Sequence, residues 1–156
     1  MVKRILLLIT HASALVLGIS IGVYVLPILT APPAPEHAQL IAMHEQAQYR
    51  GSFRRDLPGS DLLHWGEGDV AVGPDAISLM GELAPGPDYR LYLAPRFVDT
   101  AEGFMAIKAD SRQIGPVRSF DGFILPLPTD VTVTDYDSVV IWCETFEKFI
   151  SAAKYR

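Results

Sequence analysis

The chain has 156 residues, enough for one ordinary domain with an appendage and too few for two full domains. Its formal net charge is −5, and because Lys3 and Arg4 are the only charged side chains before residue 32, the remainder carries −7. A surface of that sign lacks the cationic footprint that phosphate contacts need, which excludes a nucleic-acid binder. The single cysteine, Cys143, excludes an internal disulfide and any paired-cysteine metal or haem-attachment motif, and leaves an intermolecular disulfide open.

Residues 1–4 are a short cationic start, and residues 5–29 contain no Asp, Glu, Lys or Arg. At about 1.5 Å per residue this run exceeds a hydrocarbon core of about 30 Å, so it predicts one transmembrane helix. It is longer than the roughly 7–15-residue apolar region of a cleaved signal, and it leads into Pro32 and Pro33; an uncleaved signal anchor is the expectation. Lys3 and Arg4 predict a cytoplasmic N-terminus, which makes the chain a single-pass protein of the inner (cell) membrane with its C-terminal domain periplasmic or otherwise extracytoplasmic.

Within the span Ala14, Gly18 and Gly22 recur at every fourth position, a face on which a transmembrane partner helix could approach closely, although small residues are common in spanning helices in any case. His11 lies two turns inside and predicts a hydrogen bond to another helix.

Residues 30–50 form a connection. Ala31-Pro32-Pro33-Ala34-Pro35 is a stiff polyproline-like spacer, and Glu36–Tyr49 reads as a short helix ended by Gly51. Its His37, Met43 and His44 are residue types that bind haem or copper, but an exposed connector helix accounts for them as well.

From residue 51 to 156 the chain breaks into short apolar runs between turn signals, paced by glycines and prolines. Strands are predicted from Arg50, at Gly68–Val72, Ala76–Met80, Tyr89–Ala94, Phe120–Pro126, Asp130–Thr134, Val139–Trp142 and Phe149–Tyr155, with tight turns at Leu57–Asp61 and Pro85–Asp88. Glu102–Lys108 fits neither pattern clearly. Val139–Trp142 are apolar on both alternation phases, which predicts a central strand covered on both faces. With no convincing helix between them, these seven or eight strands give an all-β fold, an antiparallel β-sandwich.

Several of these segments, in order, resemble the electron-transfer DM-thirteen domain, an extracytoplasmic β domain akin to the DOMON group. They are Asp61 and His64 ahead of Gly68–Val72; Gly86-Pro87-Asp88 leading into Leu91-Tyr92-Leu93; Gly122-Phe123 before Pro126; and Tyr136–Cys143 followed by Phe146. The resemblance covers about residues 51–155. It departs at Phe123, where family members often carry tyrosine, and at Ile114–Val117, which fits the family's glycine turn loosely. It implies a role in electron transfer resting largely on the cysteine.

The residues themselves leave that role open. Cys143 shares a strand face with Val139 and Ile141, where burial would make it an inert structural thiol. Its place near the strand end would also allow a rim site, in which thiolate and the His64 imidazole suit copper or haem iron. His64 reads equally as a turn residue, and Asp88 as a loop carboxylate accepting backbone amides or as a participant in that site. Trp142 reads as core. No serine sits in a nucleophile elbow and no histidine pair has metalloprotease spacing, so the chain is not expected to be an enzyme. Two functions remain: a membrane-tethered redox protein, or an accessory subunit of a respiratory or photosynthetic membrane complex.

Overall fold

A computed structural model describes residues 2–156. The apolar run forms helix α1 (Val2–Thr30), with a mean hydropathy of 2.2 over its best 18-residue window and no buried residue. Among the described residues it is the one helix long and apolar enough to cross a membrane. His11 Nδ1 lies 2.7 Å from the Leu7 carbonyl, one turn earlier in the same helix. Pro27, one turn from the C-terminal end, has no N–H to give the Val23 carbonyl and weakens the last turns.

After the proline spacer comes α2 (His37–Glu45), shorter than the predicted helix because Tyr49 already opens a strand. The Gln39 side chain accepts the Glu36 N–H at 3.2 Å, and the buried Leu40 seats the helix on the sheet. It is therefore a packed element rather than an exposed connector. Its His44 Nε2 is buried without a partner.

Eight strands follow: β1 (Tyr49–Phe53), β2 (Gly66–Val72), β3 (Ala76–Leu83), β4 (Tyr89–Ala94), β5 (Arg112–Val117), β6 (Phe123–Pro126), β7 (Ser138–Cys143) and β8 (Lys148–Lys154). They form two antiparallel sheets of four, ordered β1-β2-β3-β6 and β5-β4-β7-β8. The sandwich expected from the turn spacing is the one observed. Between the sheets lie Val70, Val72, Ile77 and Leu79 from one and Leu91, Leu93, Val139 and Ile141 from the other, all fully buried. Each such side chain contributes about 1.5–3 kcal/mol by leaving water. At the β2–β3 ladder Gly68 (φ +125°) lies against Gly81, where a Cβ on either would meet the other strand's backbone.

β7 is interior to its sheet, and all six of its residues are buried. Val139, Ile141 and Cys143 face the sandwich core. Val140 and Trp142 face outward into a second apolar cluster with Tyr92, Phe149 and Phe104, the last carried by the short helix α3 (Ala101–Met105). This lid is why β7 is apolar on both phases.

Three stretches take forms that the sequence pattern does not give. Asp130–Thr134 is not a strand: only Val133 is buried there, and it starts a turn of 3₁₀ helix, Val133–Asp135. Three alternating residues after Leu127-Pro128 are too few to hold a ladder, and the Val133 carbonyl instead accepts the Tyr155 hydroxyl at 2.7 Å. Ile114–Val117, read as a loose glycine turn, lies in a strand, Arg112–Val117. As β5 it is a sheet edge, where Pro116 has no ladder bond to lose, and Ile114 is bulged out between the Leu91–Gly115 and Tyr92–Gln113 pairs. Ala101–Met105 is helical, capped by the Thr100 hydroxyl accepting the Gly103 N–H at 3.1 Å, so the sheets are not free of helix between strands.

Candidate functional site

The antiparallel β4–β7 ladder sets Tyr89 opposite Cys143 at the end of the sandwich where β7 finishes. The loop before β4, Pro85-Gly86-Pro87, and the loop Asp61–Trp65 before β2 come to the same end, and the C-terminal half of α1 runs past it. These pieces line an open cavity of about 210 Å³. Cys143, Tyr89, His64, Gly86 and Pro87 line it from the domain, and Ser20, Val23 and Tyr24 from α1. Cys143 and His64 therefore share one cavity. A Cβ on Gly86 would run into the Tyr89 ring, so only glycine lets the loop lie flat on it.

Each wall residue is fixed locally. The Asp61 carboxylate accepts the Leu63 N–H at 2.8 Å and holds His64 Nδ1 at 2.8 Å, while Asp61 and His64 exchange backbone hydrogen bonds. Burial raises the Asp61 pKa, but the bonds from His64 and the Leu63 amide outweigh it and leave the carboxyl below its ordinary range. His64 is thus held by Nδ1, with Nε2 as its remaining ring nitrogen.

Burial pushes the Cys143 thiol up. Backbone hydrogen bonds from Phe146, Asp88 and Thr145 oppose the rise without cancelling it, and the Asp88 charge adds to it. The thiol is 2% exposed and free of any disulfide. Burial also raises the Tyr89 phenol, so both groups in the cavity are held protonated at neutral pH.

Asp88 stands next to this pair but does not line the cavity. Its carboxylate meets Arg90 at 2.7 Å and accepts the Thr145 hydroxyl at 3.1 Å, and its carbonyl accepts the Glu144 N–H at 3.0 Å. Its role here is to pin the turn after β7. Ala14, Gly18 and Gly22 lie on α1, and the faces of Gly18 and Gly22 are open, with no atom within 4 Å of where a Cβ would stand. His37, Met43 and His44 belong to α2 and take no part in this cavity.

A haem or copper ion would ask more of the cavity than it offers. Among the described residues no three His, Cys, Asp or Glu side chains converge. Cys143 Sγ and His64 Nε2 are two donors, one of them a protonated thiol, short of the three or four that blue-copper and tetrahedral sites use.

A second polar cluster lies on the other face of the same sheet, and the sequence patterns did not single it out. Glu144 accepts the Tyr92 hydroxyl in a short hydrogen bond and pairs with Lys108 Nζ at 2.6 Å; the Gln113 side-chain amide lies 2.8 Å from the same hydroxyl. One phenol proton serves one acceptor at a time, so the Glu144 carboxylate and the Gln113 Oε1 share the Tyr92 hydroxyl. Lys108 also sits 5.5 Å above the Trp142 ring, whose buried Nε1 has no hydrogen-bond partner. Burial pushes Glu144 up, but Lys108 and Tyr92 bring it below its ordinary value; Tyr92 is raised, first by burial and then by Glu144. The one signal in sequence was the acidic residue directly after an all-apolar strand.

A family model described as electron transfer DM13 matches residues 58–155, which takes in β2 to β8 and every residue of both clusters that belongs to the sandwich. No curated protein and no solved structure matches the chain.

Proposed function

The chain belongs to the electron transfer DM13 family, and from that premise we propose that it is a membrane-anchored, extracytoplasmic, non-catalytic component of an electron-transfer or energy-transducing membrane system. In this reading α1 is an uncleaved anchor with its N-terminus in the cytoplasm, and the sandwich stands on the far side. The observation that carries it is the cavity shared by Cys143, His64 and α1, because it joins the family's cysteine to the membrane-spanning element in one place. Cys143 is the group through which the domain meets redox chemistry there.

The test is the full-length protein purified from its own membranes in mild detergent. Visible absorption, metal analysis and thiol reactivity before and after unfolding are then measured on one sample. A native thiol that oxidises reversibly, with that oxidation lost in Cys143→Ser, supports the reading. A colourless, metal-free protein whose thiol reacts only after unfolding refutes the role given to Cys143.

The burial of Cys143 favours a second reading, an accessory subunit that docks through α1 and the sandwich while Cys143 only packs. The open faces of Gly18 and Gly22 are where a partner helix would fit. Gly18→Leu with Gly22→Leu then weakens co-purification with membrane partners, and unchanged co-purification counts against docking by this face.

A further inference from the structure

The loops around the Cys143 cavity end in apolar side chains that the fold leaves uncovered. Leu62 is 95% exposed and Leu63 56%, at the tip of the Asp61–Trp65 loop, and Phe146 is 51% exposed in the turn after β7. The folded chain spends several hydrogen bonds on displaying them. Asp61 N–H to the His64 carbonyl (2.9 Å), His64 N–H to the Asp61 carbonyl (3.3 Å) and Leu63 N–H to the Asp61 carboxylate (2.8 Å) close the first loop on itself, and Glu147 N–H to the Glu144 carbonyl (3.4 Å) closes the second. The backbone groups so paired need no water, which lowers the cost of taking these tips out of it.

What would cover these tips follows from their height along α1. A hydrocarbon core of about 30 Å takes about 20 helical residues. Counted from Ile5, just past Lys3 and Arg4, that span ends at Tyr24, a residue type that anchors at the membrane–water boundary. Leu63 and His64 line one cavity with Ser20, Val23 and Tyr24 of α1, and Phe146 lines a neighbouring one with Val23, Leu26 and Pro27. The tips therefore stand at the boundary itself, beside a helix that already crosses it.

Resting on the membrane anchoring proposed above, we infer that Leu62, Leu63 and Phe146 insert into the outer leaflet of the bilayer and seat the mouth of the Cys143 cavity at the acyl–headgroup boundary. Residues 32–156 carry −7, so anionic headgroups do not attract the domain. The insertion is apolar, and a zwitterionic bilayer suffices.

The full chain is reconstituted in vesicles of phosphatidylcholine alone, with nitroxide labels placed one at a time in a Cys143→Ser background, or Cys143→Ala if the first does not fold. Labels at Leu62→Cys and Phe146→Cys report the tips. One at Asp75→Cys, in the exposed β2–β3 turn at the opposite end, reports water, and one at Leu15→Cys reports the span. Relaxation by oxygen and by a water-soluble nickel chelate gives each label's depth. The expected result is about 5–10 Å of immersion for both tip labels, with Asp75→Cys in water and Leu15→Cys deep, unchanged on adding phosphatidylglycerol. Tip labels as wet as Asp75→Cys, with Leu15→Cys deep, overturn the inference and leave the anchor standing. A wet Leu15→Cys overturns the anchor itself. Tip labels that broaden each other as the protein-to-lipid ratio rises overturn the inference in favour of a second copy covering the surface.

Discussion

Glu144→Gln tests whether the cluster on the outer face of the β7 sheet supports the fold. Glutamine keeps an oxygen for the Tyr92 hydroxyl and removes the charge that faces Lys108 at 2.6 Å. The two side chains are 26% and 25% exposed, so the pair is neither a solvated surface contact nor a sealed one. Surface pairs contribute about 0–1 kcal/mol and breaking a fully buried pair costs about 3–5 kcal/mol; the position between them gives about 1–2 kcal/mol here. At roughly 4 °C per kcal/mol for a domain of this size, the melting temperature falls by roughly 4–8 °C at pH 7. Glu144 is held below its ordinary value of 4.5, so its contribution is complete above the unfolded pKa and is lost as pH falls through the lower folded one. Wild type and Glu144→Gln, followed by near-ultraviolet circular dichroism of the full chain in detergent, should therefore differ at neutral pH and converge as the pH falls through and below the lowered folded value. A gap that persists undiminished in acid, or one below about 1 kcal/mol at pH 7, would refute the reasoning, because a pair screened like any surface contact gives no more than that.

The cavity makes its own predictions. Alkylation of Cys143 in the folded chain should have its pH midpoint above the ordinary thiol value of 9.0, read from labelling rates by mass spectrometry; a midpoint at or below 9.0 would contradict the burial that raises it. Gly86→Ala should displace the Tyr89 ring and speed that labelling severalfold with the fold intact by circular dichroism, whereas an unchanged rate would mean the ring does not guard the thiol. Trp142→Ala should cost about 3–5 kcal/mol in urea unfolding, since the fully buried ring fills the cluster under α3. Gly81→Ala should destabilise by about 1–3 kcal/mol because the new methyl meets the Glu67–Gly68 backbone across the ladder, and a neutral result would show that the sheet can part there.

The fold was legible where the chain alternates or runs fully apolar between glycines and prolines, as in β2, β4 and β7, since those patterns reflect one or two covered faces. It was illegible in β5, whose Gly115 and Pro116 are the marks of a turn. Only its place at a sheet edge, a tertiary fact, makes them tolerable. Asp130–Thr134 failed the other way: the alternation is real, but no neighbouring strand is there to pair with it. In the candidate site, Cys143 and His64 could be named from residue type and from the family pattern. That they line one cavity depends on two loops and a helix, each far from the others in sequence, closing on each other, and no local signal carries that. Tyr92, Lys108, Gln113 and Glu144 were invisible for the same reason, being gathered by the β4, β5 and β7 register and by the turn after α3.

Cys143 and Glu144 are consecutive, and a strand turns consecutive side chains to opposite faces. The end of β7 therefore presents a buried thiol on the side where α1 passes and an ion pair on the side away from the sandwich core, with one peptide between them. The turn that follows is tied to both: Asp88 holds the Glu144 amide and the Thr145 hydroxyl, and Phe146 contributes an amide to the sulfur and a ring to the apolar rim. A displacement of that turn, by bilayer or by partner, would move the sulfur's hydrogen-bond donors and the carboxylate's partners together. This is the physical reason to measure Cys143 reactivity in Glu144→Gln as well as in wild type. If the turn is one rigid unit, loosening the ion pair on the outer face also raises thiol exposure on the inner one, and if the two faces are independent, labelling of Cys143 stays at the wild-type rate.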